Sequence, residues 1–176
     1  MLAAAGLGVA LLVGAVVTGV VLNGSGDSSA PSDSDADGPL LLVPVDAPQA
    51  SSAECASLVK NLPQQLPNAG STLNRRALAK PVQTGTAAWG TGDDPVVLRC
   101  GVEQPPEFTA TSLLLQVSGV QWLQITGDDA ATWYAVDRAA TVALTVPGGS
   151  GTGPLQEVSA TISATMPAVP LHPAGN

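Results

Sequence analysis

Apolar and polar positions divide this chain into two unlike parts. Residues 2–22 are an unbroken apolar run in which Thr18 is the one polar side chain, and no charged residue precedes Asp27. As a helix this run is about 31 Å long, close to the thickness of a bilayer's hydrocarbon core. The pattern predicts a transmembrane signal-anchor over residues 1–22, with residues 2–22 in the lipid bilayer. The alternative is a cleaved signal peptide and a secreted domain.

Residues 23–50 are rich in Ser, Asp, Gly and Pro, and they carry five acidic residues and no basic one. Such a composition does not bury enough apolar surface to fold alone, so we predict a flexible acidic linker here. Within it, residues 39–48 are expected to be more extended and packed, because the run from Leu40 to Val43 is costly to leave in water.

The first element of the following domain, residues 51–166, reads as a helix. Ser51 and Glu54 have the spacing of a capping box, in which both side chains satisfy free backbone donors of a first turn. The apolar residues that follow recur at helical spacing, and Pro63 ends the run. These residues are Cys55, Leu58, Val59 and Leu62.

The rest of the domain alternates apolar and polar residues, which is typical of half-buried strands. The predicted strands cover residues 96–100, 113–122 (with a β-bulge at Ser118 and Gly119), 131–137, 142–146 and 158–166. We therefore expect an α+β domain of about five mainly antiparallel strands packed on one principal helix. The N-terminal transmembrane helix and the flexible linker precede it, and a Pro-rich tail over residues 167–176 follows.

The charge of the chain limits its partners. The formal net charge is −8, and much of it belongs to the linker. An acidic linker and a mildly acidic domain disfavour nucleic acid as a partner, because the phosphate backbone is itself negative.

The two cysteines, Cys55 and Cys100, indicate the compartment. A single pair in a small exported domain is most simply a disulfide, which predicts an extracytoplasmic domain. The alternative is two buried free thiols in a cytosolic domain. Neither arrangement supplies enough ligands for a metal site, and the one histidine, His172, lies in the tail.

Two motifs invite a catalytic or ligand-binding interpretation. The Gly-rich residues 147–153 lack the Lys and Ser/Thr of a phosphate loop, so we interpret them as a loop between two strands. The sequence Thr-Gly-Asp-Asp occurs twice and puts Asp93, Asp94, Asp128 and Asp129 on probable turns. Calcium binding or acid/base chemistry is the alternative to ordinary turn chemistry. No catalytic, metal or cofactor residue is predicted.

The most informative candidates for a surface that binds a ligand or partner are aromatic and basic. Tryptophans stack on sugars or anchor protein partners, and arginine clamps an anion or a carboxylate through its fork of donors. The alternative roles are core packing for the tryptophans and structural ion pairing that involves Asp137. The candidate surface consists of Trp89, Trp122, Trp133, Arg99 and Arg138.

The chain contains a series of short motifs in this order: Cys55, Trp89-Gly90, Arg99-Cys100-Gly101-Val102, Trp122 and Asp137-Arg138. Together these motifs resemble the pattern of one known family. It is an actinobacterial family of membrane-anchored or secreted proteins catalogued only as a domain of unknown function. The resemblance covers about residues 43–163 and implies export and paired cysteines. It implies no activity, because the family has no assigned reaction.

These features predict a single-pass protein of the cell membrane whose extracytoplasmic domain is a non-enzymatic interaction module of the cell envelope. Its expected partners are the bilayer and another envelope protein. The alternative function is binding of a small envelope ligand, such as a cell-wall fragment. A carboxylate-based wall hydrolase is the third hypothesis, and it requires two acidic residues that converge in one groove.

Overall fold

The computed structural model describes residues 38–173. Eight antiparallel strands form one sheet in the order β1-β2-β3-β4-β8-β7-β6-β5, and two helices accompany it. In chain order the elements are α1 (Ala53–Asn61), β1 (Gln65–Asn68), β2 (Ser71–Arg76), β3 (Thr86–Trp89), β4 (Val96–Val102), β5 (Leu115–Val117), β6 (Val120–Thr126), β7 (Ala130–Ala135), β8 (Thr141–Pro147) and α2 (Gly153–Thr165).

This architecture contradicts the predicted fold class of about five strands on one principal helix. Three short strands, β1 to β3, precede the first predicted strand and carry no clean alternation of apolar and polar residues. The predicted transmembrane helix lies outside the described residues. Within residues 38–173, neither helix is long and apolar enough to cross a membrane.

Helix α1 forms where the apolar spacing predicted it, but its cap is shifted by one residue. The N-cap is Ser52 rather than Ser51, and its hydroxyl accepts a hydrogen bond from the backbone N–H of Cys55 at 3.2 Å. This bond satisfies one of the free donors of the first turn. Cys55 and Leu58 are fully buried on the face that packs into the core.

The predicted β-bulge at Ser118 and Gly119 is wrong, because these residues form the turn of a two-residue hairpin. Val117 pairs with Val120 across the turn. Ser118 and Gly119 have φ values of 47° and 77°, as a type I′ turn requires of its two central residues. The predicted single strand over residues 113–122 is therefore two strands, β5 and β6.

The predicted strand over residues 158–166 is wrong as well, because this segment is most of helix α2. The buried residues Leu155, Val158 and Ile162 recur at helical spacing. The alternation that suggested a strand rests on Ala160 and Ala164, which are small, exposed and fit either structure. The Gly-rich loop accordingly connects β8 to α2 rather than to another strand.

Helix α2 packs against the sheet and contributes Leu155, Val158 and Ile162 to the main hydrophobic core. It contacts β1 at one end of the sheet and β5, β6 and β8 towards the other, so the sheet curls around it. We call the sheet face that carries α1 and α2 the inner face, and the opposite side the outer face. Trp122 of the inner face donates from its indole N–H to the Ser159 hydroxyl of α2 at 2.9 Å. Ser159 donates in turn to the carbonyl of Leu155.

Cys55 and Cys100 form a disulfide, as the sequence predicted, with their Cα atoms 5.5 Å apart. It joins α1 to the central strand β4. Because Cys100 lies on the inner face with Val96 and Leu98, the bond is buried in the main hydrophobic core. A smaller apolar cluster on the outer face lies under the loop that connects β4 to β5.

Residues 38–50, which we call the N-terminal strap, pack along the segment that joins β2 to β3. Leu40 donates to the carbonyl of Ala77 at 2.8 Å and accepts from the N–H of Ala79 at 2.9 Å. The strap then crosses β4 at Gly101, whose carbonyl accepts from the N–H of Gln49 at 3.0 Å. The register of β4 shifts at this point, between Cys100 and Val102.

The crossing generates a prediction about Gly101. Its φ is +86°, and a Cβ there would overlap the backbone of the strap, with the Ala50 Cα only 2.6 Å away. We expect Gly101→Ala to lower the free energy of unfolding by about 3 kcal/mol or more. Urea unfolding of the non-reduced full chain measures this loss.

Gly92→Ala is the matched control, because Gly92 also has a positive φ, +69°, but a Cβ there meets nothing within 4 Å. It should cost only about 1 kcal/mol for the left-handed backbone. Equal losses in the two variants would show that the strap does not cross Gly101 closely.

The disulfide generates a second prediction. The cysteines are 45 positions apart, and closing a loop of that length stabilises a fold by about 4 kcal/mol in the chain-entropy model. Dithiothreitol should therefore lower the free energy of unfolding by about 2–4 kcal/mol. A variant with both Cys55→Ala and Cys100→Ala should not respond to dithiothreitol. An equal loss of stability in this variant would show that dithiothreitol does not act through the Cys55–Cys100 disulfide.

Candidate functional site

The structure separates the three tryptophans. Trp89 and Trp122 are fully buried in the core. The indole N–H of Trp89 donates to the carbonyl of Pro63 at 2.9 Å, and Arg75 lies over its ring at 4.8 Å from the centroid. Both buried indoles therefore have hydrogen-bond partners inside the domain, as buried tryptophans usually do, and neither offers a face to a ligand.

Trp133 differs, because it is only partly buried and lines an apolar groove on the inner face. The groove has a volume of about 250 Å³ and lies between the first turns of α2 and the strands β5, β7 and β8. We call it the Trp133 groove. Its lining residues are Leu115, Val117, Trp133, Val146, Gly151, Thr152, Leu155 and Gln156.

Strand β5 forms one wall of this groove and also ends the sheet. It pairs with β6 and with no other strand of the described chain. In a hairpin with a two-residue turn, the residues that flank the turn, here Val117 and Val120, form a hydrogen-bonded pair. Pairs alternate along an antiparallel ladder, so the next pair, Gln116 and Gln121, is not hydrogen-bonded. The backbone N–H and C=O of Gln116 therefore point towards the open edge of the sheet.

Arg138 forms a buried structural ion pair with Asp137. Its guanidinium contacts the Asp137 carboxylate at 2.8 Å, and both side chains are at most 7% exposed. It also donates to the carbonyls of Asp137 and Gly119. Arg138 borders a broad cleft of about 840 Å³ beside the exposed His172, but its charge is neutralised within the domain.

Arg99 lies on the outer face and has far fewer partners. Within residues 38–173, its guanidinium makes one hydrogen bond, from Nη2 to the carbonyl of Val43 at 3.3 Å. Burial lowers the pKa of Arg99, and the neighbouring Tyr134 raises it. The structure thus brings none of the candidate surface residues together: two tryptophans are internal, and Trp133 and Arg99 lie on opposite faces.

The four turn carboxylates also stay apart. Asp93 and Asp94 are exposed on the turn from β3 to β4, whereas Asp128 and Asp129 are exposed on the turn from β6 to β7. In the described part of the chain, no three His, Cys, Asp or Glu side chains come together as metal ligands would. The arrangement therefore offers no support for a groove with converging acids.

Sequence reasoning missed most of the Trp133 groove. Leu155 and Gln156 were missed because no helix was predicted after the Gly-rich residues 147–153. Leu113 and Leu115 belong to the apolar face of the predicted strand over residues 113–122, yet Leu115 is 51% exposed and Leu113 is 93% exposed. The helical spacing of apolar residues from Leu155 to Ile162 was the signal that could have indicated this helix. The same residues overlap a segment that also alternates as a strand does.

The family described as "Protein of unknown function (DUF3515)" matches residues 5–171, almost the whole chain. The chain belongs to this family. No curated protein and no solved structure matches it. The expected relation to a family of unknown function is thereby confirmed, whereas an actinobacterial origin stays a prediction. Membership of this family assigns no activity to the chain.

Tyr134 lies beside Arg99 on the outer face and gives the surface a spectroscopic probe, because it is the one tyrosine of the chain. Burial raises the pKa of its phenol, the negative charge of Glu107 raises it further, and the positive charge of Arg99 partly opposes both. These effects disfavour the phenolate in the folded state.

The Tyr134 environment predicts a titration that differs between the folded and unfolded chain. We expect the absorbance of the phenolate to appear above the usual tyrosine pKa of about 10 in the folded chain, and near it in urea. Because the folded pKa is the higher one, its stabilising contribution is complete below pH of about 10 and is lost as the pH rises through the folded value. Glu107→Gln should lower the Tyr134 pKa and Arg99→Gln should raise it. Identical midpoints in the folded and unfolded chain would contradict this environment.

Proposed function

We propose that this domain is a non-enzymatic interaction module outside the cytoplasm, and that the Trp133 groove receives an extended apolar segment of another envelope protein. The observation that carries the proposal is the partly exposed Trp133 in an apolar groove beside an unpaired sheet edge. Exposed tryptophans in such positions are typical anchors of protein interfaces.

The size of the groove favours side chains of a partner over a small molecule. Small-molecule sites usually measure about 300–1,000 Å³ and contain several convergent polar groups. The Trp133 groove measures about 250 Å³, and Leu115, Val117 and Leu155 contribute only hydrocarbon to it. A volume of this size suits one or two apolar side chains.

The open edge of β5 suits the backbone of the same partner. A strand that binds there can exchange hydrogen bonds with Gln116 while its alternate side chains enter the groove, which is the known mode of β-augmentation. Native proteins usually protect open edges with charge or proline. The residues 113–117 carry neither, and two of their leucines are exposed.

The disulfide supports the extracytoplasmic location. Disulfides persist in oxidising compartments and are rare in the cytosol. Because the Cys55–Cys100 bond is buried between α1 and β4, it serves the fold rather than a redox reaction at the surface.

The two alternative functions have less support. Binding of a wall fragment by tryptophan and arginine needs these residues in one cleft, and Trp133 and Arg99 are on opposite faces. A carboxylate-based hydrolase needs two acids of different environment in one groove, and the four turn carboxylates are exposed on two separate turns.

Site-specific photo-crosslinking in intact cells tests the proposal. A photo-reactive residue replaces Gln156, which is exposed at the groove, and in a separate control it replaces Gln104, which is exposed on the loop after β4. We expect Gln156, but not Gln104, to capture one envelope protein, and mass spectrometry to place the crosslink in an extended apolar segment. A polar or helical crosslinked segment, or equal capture from both positions, would contradict the proposal.

A backbone variant tests the edge pairing directly. Gln116→Pro removes the outward N–H without removing a backbone hydrogen bond to β6. An edge strand tolerates proline at such a position. The variant should abolish capture from Gln156, while the control Gln116→Ala preserves it. Full capture by a folded Gln116→Pro chain would exclude β-augmentation at this edge.

A further inference from the structure

The Trp133 groove continues into a second cavity. This cavity has a volume of about 300 Å³ and lies between the turn from β6 to β7 and the Gly-rich loop that connects β8 to α2. We call it the Asp128 pocket. Trp133, Val146 and Gly151 line both cavities, so the groove and the pocket adjoin each other.

The two cavities differ in charge. The Trp133 groove has no charged residue in its lining, whereas Asp128 and Asp129 both line the Asp128 pocket. No described residue that lines either cavity is basic. The ion pair within residues 38–173 joins Arg138 and Asp137, so no cation of the described chain balances the two carboxylates at the pocket.

Ser150 adds a buried hydroxyl to the lining of the Asp128 pocket. Its backbone N–H donates to the carbonyl of Pro147, and its carbonyl accepts from the N–H of Ala69. The residue is only 7% exposed, yet its hydroxyl takes part in none of the side-chain hydrogen bonds among residues 38–173. Buried side-chain polar groups normally have a partner, so this hydroxyl indicates a ligand in the pocket.

Backbone hydrogen bonds hold the two walls of the pocket together. The N–H of Gly148, in the Gly-rich loop, donates to the carbonyl of Asp129 at 2.8 Å. Within the turn, the N–H of Gly127 donates to the carbonyl of Ala130 at 2.8 Å. A site that is already ordered loses less conformational entropy when a ligand binds, so the pocket is prepared for binding.

We propose that the segment bound in the Trp133 groove carries a lysine or arginine whose charged group enters the Asp128 pocket. Such a group has several N–H donors and no acceptor, and the two carboxylates and the Ser150 hydroxyl are matching acceptors. Its hydrocarbon stem passes over Trp133, whose ring also attracts a cation. This inference rests on the proposed function and adds the chemistry of the partner, an apolar segment with a nearby basic residue.

The sheet sets the spacing between the two parts of the partner. Trp133 and Asp129 are four positions apart at the start of β7, which corresponds to roughly 13 Å of extended chain. An extended partner covers this distance with about four residues, and with fewer where a long basic side chain bridges part of it. We therefore expect the basic residue about two to four positions from the apolar residue that contacts Trp133.

Selection of random heptapeptides from a display library on the immobilised full chain tests this inference. We expect the enriched peptides to combine alternate apolar residues with one lysine or arginine. Enriched apolar peptides without a basic residue would overturn the inference and leave the proposed function intact. Peptides that bind equally to a Gln116→Pro chain, or the absence of any enriched peptide, would contradict the proposed function and the inference with it.

The repeated Thr-Gly-Asp-Asp sequence supplies a matched pair of variants. Asp128→Asn with Asp129→Asn removes the charge of the pocket, and Asp93→Asn with Asp94→Asn makes the same change on a turn that lines neither cavity. Isothermal titration calorimetry with one selected peptide should show an affinity about threefold to tenfold lower for the first variant and unchanged for the second. Equal losses would indicate a general effect of net charge and would overturn the inference.

A change in the selected peptide completes the test. Glutamine in place of its basic residue should lower the affinity by a similar factor, and the remaining affinity should no longer depend on Asp128 and Asp129. Ser150→Ala should weaken binding of the basic peptide but not of the glutamine peptide. A glutamine peptide that binds as tightly as the basic one would contradict a basic side chain in the Asp128 pocket.

Discussion

The disulfide between α1 and β4 is the constraint on which the rest of the domain depends. It holds a helix of only nine residues against the central strand, and so short a helix is unstable alone. One residue after Cys100, the register shift at Gly101 lets the N-terminal strap cross the sheet in backbone contact. The same strand thus joins three layers: the helix, the sheet and the strap.

Helix α2 covers only part of the inner face of the sheet. On the inner face, α2 covers Trp122 completely but leaves Trp133 partly open beside its first turns. On the outer face, the strap contacts Arg99 through the carbonyl of Val43, and the loop after β4 packs Phe108 against Leu123 and Val136. None of the described residues that line the Trp133 groove is ionisable.

Short-range patterns in the sequence predicted several elements correctly. The apolar spacing from Cys55 to Leu62 predicted α1, and the alternation in residues 96–100 and 142–146 predicted the core of β4 and β8. The cysteine pair predicted the disulfide. The helix and strand predictions succeed because each depends on residues within one element, whose side-chain period is set by local backbone geometry. The disulfide was predictable because the chain has only two cysteines. The sequence selected Trp133 as a candidate surface residue but could not separate it from the buried Trp89 and Trp122.

Tertiary contacts decided the rest. Residues 158–166 alternate as a strand does and also repeat as a helix does, and burial of Val158, Ser159 and Ile162 against the inner face selected the helix. The exposure of Trp133 and the missing partners of Arg99 depend on which residues other elements bring beside them. The sequence alone determined the local periods and the cysteine pair; the packing of distant elements decided which side chains have partners, because such contacts join residues far apart in the chain.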